Sequence, residues 1–405
     1  MTERAPIEIC PGTQSRRSSF LPFSRPTIED EEVASVTESL RSGWLTTGPK
    51  VAQFEKMFRD RLGVRHAIAV SSATAGLHLA VAALNLQPLD EVIVPSITWA
   101  STANVVELCG ARTVFADVAW SGLCIDPEDV ARRITEHTRA IIPVHYAGQP
   151  ADLTALRALA AERGIVPIED AAHALGTRYG ELEIGASGDA VVFSFHPIKN
   201  ITTGEGGMIV CQDEALAARL QLLRFHGVSK EAWSRYRRAG TPQYDVLEPG
   251  WKYNMMDLQA ALGIEQMKKL ERFNRRRTEL ALRYDRLLAE VPEVRPIGRV
   301  PYPATHAWHL YVVRLDTRAV AISRNEFMAA LQEEQIGTGL HFPPLHLSTW
   351  YRRRYGYEPG SLPRAEEAGA KIFSLPLYPL LREEDQDDVV GALKRVITKS
   401  RRSSV

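Results

Sequence analysis

Between Ala67 and Val210 short apolar runs alternate with amphipathic stretches, and this alternation narrows the fold more than any other feature. The runs are Ala67–Val70, Val92–Val94, Thr113–Ala116, Ala140–Val144, Val166–Ile168, Ala190–Phe195 and Met208–Val210. Helical stretches fall between many of them. One runs from Asp126 to Glu136, with Asp126 as N-cap and Pro127 at the first helical position. Another runs from Ala151 to Arg163 and is closed by Gly164. Strands separated by helices predict crossover units and an α/β fold, a mostly parallel sheet covered on both faces.

After Asp257 a long helical pattern follows, with Leu270, Phe273, Leu280, Tyr284 and Leu287 on helical spacing. The remainder reads as a strand (His309–Arg314), a helix (Asn325–Gln335), a second strand (Gly339–Phe342) and two more helices (Arg364–Phe373 and Glu383–Thr398). That α+β pattern predicts a second, smaller domain from Arg272 onward. The expected organisation is a loose polar arm over 1–20, a large domain over 21–271, a small domain over 272–398 and a basic tail over 399–405.

Composition removes several classes of function. Lys plus Arg and Asp plus Glu each number 49, so the chain lacks the basic excess of a dedicated nucleic-acid binder. No apolar run approaches the ~18 residues of a membrane span. Met1 to Phe20 holds no apolar stretch of the kind a signal peptide needs. Cys10, Cys109, Cys124 and Cys211 are scattered, which argues against a disulfide framework or a Cys-rich zinc site and sets a reducing cytoplasm as the expected location.

Four segments carry candidate chemistry. In Phe193-Ser194-Phe195-His196-Pro197-Ile198-Lys199-Asn200 a lysine follows a buried strand. It is either a lysine whose stem packs while its ammonium reaches water, or a Schiff-base lysine with a desolvated amine. Ile168-Glu169-Asp170-Ala171-Ala172-His173 ends another strand, and parallel strands would bring Asp170 to the same sheet edge as Lys199. A buried Asp there could keep a pyridine nitrogen protonated, whereas Glu169 and His173 also read as capping and packed residues. Ser71-Ser72-Ala73-Thr74-Ala75-Gly76 opens a helix and suits a phosphate, or is a plain Ser/Thr cap. Pro95-Ser96-Ile97-Thr98-Trp99-Ala100 sets an aromatic at a strand's ligand edge, to stack on a flat cofactor or to join the core. Gly204-Glu205-Gly206-Gly207 lacks the spacing of a dinucleotide site, so a nicotinamide oxidoreductase is disfavoured and a tight turn beside Lys199 is expected.

Taken together these segments resemble the DegT/DnrJ/StrS family of pyridoxal-phosphate sugar aminotransferases, over roughly residues 20–398. Ser42-Gly43-Trp44-Leu45-Thr46-Thr47-Gly48-Pro49, Ile142 through Gly148, Phe193 through Asn200, Gly250-Trp251-Lys252-Tyr253-Asn254 and Gly337-Thr338-Gly339-Leu340-His341-Phe342 carry the resemblance. Within the family the chain is most similar to the branch that makes UDP-4-amino-4-deoxy-L-arabinose, which would connect it with modification of an envelope lipid. The resemblance implies a fold-type-I architecture with a large seven-stranded cofactor domain and a small C-terminal domain. It implies a homodimer with its active sites at the subunit interface.

By motif, the resemblance makes Lys199 the Schiff-base lysine and proton shuttle, with Asp170 at the pyridine nitrogen, Trp99 stacked on the ring and His173 beside it. Ala73 (by its backbone), Thr74 and Ser194 would hold the phosphate, joined by Lys252 and Asn254 of the other subunit. Trp44 and Thr47 fall in a substrate-side lid. Arg238, or its neighbour Arg237, is a candidate for an anionic substrate group, the alternative being a solvated surface arginine. His341 is a substrate-side candidate or a structural histidine. Many members carry Asn where this chain has Lys252 and Gln where it has His173, and both departures resemble the aminoarabinose branch. The implied reaction is transamination from L-glutamate, releasing 2-oxoglutarate, to a nucleotide-linked 4-keto sugar, a UDP-4-keto-pentose. The alternatives are another keto-sugar nucleotide as acceptor, or a pyridoxal-binding regulator without turnover. A dehydratase branch with His in place of the lysine is disfavoured by Lys199.

Overall fold

In a computed structural model, which describes residues 17–188, 190–229 and 244–402, the seven apolar runs form one sheet. Its strands are β1 (His66–Val70), β2 (Glu91–Pro95), β3 (Arg112–Ala116), β4 (Thr138–Ile141), β5 (Val166–Asp170), β6 (Ala190–Ser194) and β7 (Gly207–Cys211). Their spatial order is β1-β7-β6-β5-β4-β2-β3. Only β7 runs against the others, pairing antiparallel with β1 and β6. The large, mostly parallel α/β sheet thus matches the expected fold class.

Side chains alternate across this sheet, as period-two geometry requires. Ile68, Val70, Val192 and Ile209 face one core, while Ala67, Ala69, Val191, Phe193, Met208 and Val210 face the other. Helices α1 (Asp30–Ser42) and α2 (Pro49–Leu62) precede the sheet, and Phe54 and Phe58 of α2 pack with Phe195. Helix α3 (Ala73–Ala82) follows β1 and α4 (Ala100–Leu108) follows β2. Helices α5 (Pro127–Arg133), α6 (Leu153–Arg163) and α7 (Glu214–Arg224) complete this part. Asp126 caps α5, and α6 ends at Gly164 in the left-handed region, both as the sequence predicts.

Helix α8 (Asp257–Leu288) is the long helix read from the sequence, and residue 272 lies within it. Beyond it come β8 (Val294–Pro296), β9 (Tyr311–Leu315), α9 (Arg324–Glu333), α10 (Thr349–Tyr355), α11 (Pro363–Lys371), β10 (Ile372–Leu375) and α12 (Glu383–Ser400). Strands β8, β9 and β10 form an antiparallel sheet in that order, over a core that includes Leu280, Tyr284, Phe327, Phe373 and Leu393. A short ribbon pairs Arg178–Tyr179 with Leu182–Glu183 and Ala304–Thr305.

Four local readings are corrected. The helix begun at Asp126 stops at Arg133, because Ile134 turns extended. The strand read as Ala140–Val144 is regular only to Ile141; Pro143 lacks an N–H and Val144 makes a single bridge to Asp170. Gly339–Phe342 is not a strand: Gly339 bridges Ser374, and the rest runs into a cleft wall ahead of Pro343 and Pro344. The strand lies instead at Ile372–Leu375, whose first two residues read as the end of a helix because no breaker separates them from Lys371. In the basic C-terminal stretch, Lys399 and Ser400 close α12 and Arg401 pairs with Glu293. No helix among the described residues is long and apolar enough to cross a membrane.

Candidate active site

Lys199 stands on a turn just past β6, at the carboxyl edge of the sheet. Its backbone N–H donates to the His196 carbonyl at 2.9 Å. The next residue, Asn200, is buried and donates to Asn274 of α8 (2.7 Å) and to the Ala307 carbonyl (2.8 Å). The turn is therefore clamped from both sides. Burial pushes the Lys199 amine down to about 8, against the pull of the Asp170 carboxylate. An amine so placed is a nucleophile and a base near neutral pH.

Asp170 is the last residue of β5, the strand next to β6. It is buried, and burial raises its pKa. Thr102 Oγ1 donates to Oδ2 at 2.8 Å and the Ala172 N–H donates to Oδ1 at 3.1 Å, both favouring the charged form. The preceding Glu169 points to the other face. There it accepts from His145 Nε2 (3.0 Å) and Arg157 (2.7 Å), while His145 Nδ1 accepts the Ala151 N–H. Glu169 is therefore a structural carboxylate, and the two adjacent acids have different work.

The start of α3 forms the third wall. Ser72 caps the helix by accepting the Ala75 N–H at 3.1 Å. Ala73 and Thr74 line the same cleft as Lys199, and the first amides of a helix have no intrahelical acceptor. Gly207 lets β7 approach this turn: a Cβ there would sit 2.8 Å from the Ala73 nitrogen and 2.9 Å from the Phe193 carbonyl oxygen. Ser194 lies at the end of β6 on the same cleft. Trp99, at the N-cap of α4, is 62% exposed, an uncovered aromatic face at the cleft.

His173 is buried, and its Nδ1 accepts the Ala147 N–H at 3.2 Å, so the ring proton sits on Nε2. Burial and the charge of Lys199 hold its pKa well below the usual range, which makes it a neutral donor. It stacks on Phe342 at 5.9 Å and packs against His309 at 4.3 Å. His341 is neutral too: burial pushes it down to about 3. Its Nδ1 meets Ser374 Oγ at 2.9 Å, and its carbonyl accepts from Tyr146.

Ala73, Thr74, Trp99, Asp170, His173, Ser194, Lys199 and His341 thus line one cleft of about 450 Å³. A flat, phosphate-bearing pyridine fits this donor set. The cleft offers open helix-start amides for the phosphate, an indole face for the ring, a buried carboxylate for a ring nitrogen and a desolvated amine for an aldehyde.

Trp44, Thr47, Lys252 and Asn254 form a separate cluster. Trp44 Nε1 donates to the Thr47 carbonyl (3.1 Å), and Asn254 Nδ2 donates to Thr47 Oγ1 (2.6 Å). Lys252 Nζ donates to Asn254 Oδ1 (2.8 Å) and lies over the Phe225 ring. None of these four lines the cleft within this chain. Arg237 and Arg238 lie outside the described residues. Sequence reasoning missed Thr98, Thr102, His309 and Phe342. Phe342 lies beside the singled-out His341, and Thr98 beside Trp99; Thr102 and His309 carry no local signal.

A sequence profile of the DegT/DnrJ/EryC1/StrS aminotransferase family matches residues 26–394. Among solved structures the chain is similar to Spr1654 of Streptococcus pneumoniae in its PMP form, at 31% identity and a TM-score of 0.86, over 94% of this chain and 99% of that one. The PLP form of the same protein matches at 30% identity and a TM-score of 0.85, with the same coverage. TlmJ, an aminotransferase from Streptoalloteichus hindustanus, matches at 34% identity and a TM-score of 0.84, over 93% of this chain and 98% of that one. PseC of Helicobacter pylori, an aminotransferase involved in the biosynthesis of pseudoaminic acid, matches at 28% identity and a TM-score of 0.87, over 94% of this chain and all of that one.

Proposed function

The chain belongs to the DegT/DnrJ/EryC1/StrS aminotransferase family, and from that premise we propose that it moves the amino group of L-glutamate to C4 of a nucleotide-linked 4-keto sugar. The acceptor proposed is a UDP-4-keto-pentose, giving UDP-4-amino-4-deoxy-L-arabinose. The protein is a pyridoxal-phosphate-dependent sugar aminotransferase, and the cytoplasm is its proposed location. The observation that carries the reading is the desolvated Lys199 amine, which shares its cleft with Asp170 and the open start of α3.

When bound, pyridoxal phosphate supplies the carbonyl that accepts the amino group and the ring that draws off the electron pair left by proton removal. The residues of the chain divide the remaining work. Lys199 would anchor the cofactor at its aldehyde carbon, and its free amine would take the α-proton of the amino donor and return it, general base and general acid work at one nitrogen. Asp170 would keep the ring nitrogen protonated. Ala73, Thr74 and Ser194 would hold the phosphate, Trp99 would cover one ring face, and His173 would present its Nε2 proton beside the ring. His341 would face the acceptor sugar.

Trp44, Thr47, Lys252 and Asn254 belong to a homodimer's shared site in this reading, where they serve the partner's cleft. Two observations support that: all four are tied to one another, and all four are absent from their own chain's cleft.

The test is the visible spectrum of the purified protein before and after L-glutamate, followed by product analysis with a panel of keto-sugar nucleotides. A yellow band that bleaches with glutamate, and amination of the UDP-4-keto-pentose ahead of 6-deoxy-4-keto and 3-keto sugars, is expected. Preference for another keto sugar would replace the substrate and keep the reaction class. A bound chromophore that never exchanges its amine with any donor would remove the transamination reading.

A further inference from the structure

Thr102 lies in the first turn of α4, fully buried, and does not line the cleft. Its Oγ1 is 2.8 Å from Oδ2 of Asp170 and 2.8 Å from Oγ1 of Thr98. A hydroxyl has one proton to give. An ionised Asp170 can only accept, so Thr102 donates to it, and Thr98 in turn donates to Thr102. The three side chains form a chain of hydrogen bonds with one direction, from Thr98 to Thr102 to Asp170.

We propose that Thr102 is a positioning residue for the reaction: by donating to Oδ2 it keeps Asp170 ionised and aims its free lone pair at the nitrogen of the bound pyridine ring. The proposal rests on the reading of Asp170 given above. The physical case has two parts. The first is orientation. With Oδ2 held by Thr102 and Oδ1 held by the Ala172 N–H, the carboxylate cannot rotate about its terminal bond without losing two hydrogen bonds, the one from Thr102 buried.

The second part is charge. Burial favours the neutral acid, and among the influences that oppose it the Thr102 hydrogen bond stands first, ahead of the Ala172 N–H and the charge of Lys199. A neutral carboxyl would lose its charge attraction for a ring N–H. The Lys199 charge adds to that support and ranks behind it. His145 is turned to Glu169 through Nε2 and accepts the Ala151 N–H at Nδ1, His173 is neutral, and the Lys199 amine is itself pushed toward its uncharged form. Thr98 shares a turn with Trp99, so the chain also couples the ring-stacking wall to the ring-nitrogen contact.

The experiment reconstitutes Thr102→Val, Thr102→Ser and Asp170→Asn with pyridoxal phosphate labelled with 15N in the ring. It reads the nitrogen shift against pH and the single-turnover rate with glutamate. Thr102→Val should lose the ring-nitrogen proton at lower pH than the parent and slow the glutamate half-reaction about tenfold to a hundredfold, as expected for a hydrogen bond to a charged group. Thr102→Ser should restore both. If Thr102→Val does not fold, Thr102→Cys makes the same comparison with a weak donor and should fall between the parent and Asp170→Asn. An unchanged nitrogen titration in Thr102→Val, or in Thr102→Cys where that variant is used, beside a shifted one in Asp170→Asn, overturns the role of Thr102 alone. An unchanged titration in Asp170→Asn itself overturns the reading of Asp170 on which the proposal stands.

Discussion

The Lys199 amine and the Asp170 carboxylate stand at the carboxyl edge of two neighbouring parallel strands, and each opposes the shift that burial imposes on the other. Burial alone would neutralise both. Their mutual attraction keeps the acid toward its anion and stops the amine near 8, poised between nucleophile and proton carrier. Lys199→Ala should lower turnover by about 10³-fold or more while the protein still takes up cofactor noncovalently. Steady-state rates and cofactor retained after gel filtration check this; amination at the parent rate by the variant would remove Lys199 from the chemistry.

The same pair sets a pH dependence. The folded pKa of Lys199 lies below its ordinary value, so its reactive neutral form grows as pH rises and levels off above about 8. The rate at which apoprotein takes up pyridoxal phosphate should therefore climb roughly tenfold per pH unit below that point. Asp170→Asn removes the charge that holds the amine up, so its midpoint should move to lower pH. Stopped-flow growth of the visible band from about pH 6 to about pH 9 is the measurement; a flat profile contradicts the prediction.

Gly207 is required by space. A Cβ there would meet backbone atoms of Ser72, Ala73 and Phe193, none of which can swing away as a side-chain tip can. Gly207→Ala should cost about 1–3 kcal/mol of stability and weaken cofactor binding disproportionately, because the turn that shifts is the one proposed to bind the phosphate. Urea unfolding of the apoprotein and cofactor titration separate the two effects. Unchanged cofactor affinity beside lowered stability would show that the turn does not bind the phosphate.

Glu169 offers a stability test away from the chemistry. Its carboxylate is fully buried between His145 and Arg157, and those partners hold its pKa below the ordinary 4.5. A depressed folded pKa stabilises above the ordinary pKa, and the contribution fades as pH falls through the folded value. Arg157 is partly exposed and can turn to water, so Glu169→Gln should cost about 1–3 kcal/mol at neutral pH. The gap between variant and parent should narrow in acid. Equal loss of stability at pH values on both sides of the transition would contradict the assignment.

How much of this was readable from the residues differs by region. The large sheet was legible because its strands are buried on both faces and flanked by turns and caps such as Asp126 and Gly164. The small sheet was not: Ile372–Leu375 follows α11 without a breaker, and Gly339–Phe342 looks like a strand but pairs only once. Lys199, Asp170, Trp99 and Thr74 were legible because each lies at or within a few residues of a strand end on one edge of the sheet. Thr102 was invisible, since a threonine inside a helical run gives no sign that it faces a carboxylate from another strand. The cluster of Trp44, Thr47, Lys252 and Asn254 was recognised by resemblance, but its self-contained bonding comes from pairing across the fold.

Helix α8 runs 32 residues, about 48 Å at 1.5 Å per residue. On it, Asn274 grips the turn of Lys199 through Asn200, and Arg277 grips the carbonyls of Trp308, His309 and Leu377. These two residues are three apart, so a single inserted residue between them would turn one grip by about 100° and slide it by about 1.5 Å relative to the other. Loops in this chain can lengthen or shorten by local adjustment. This helix cannot, because it works as a gauge block: the spacing of Asn274 and Arg277 along it sets the turn of Lys199 against the Trp308–His309 and Leu377 backbone, and between them only substitutions, never insertions, are open to it.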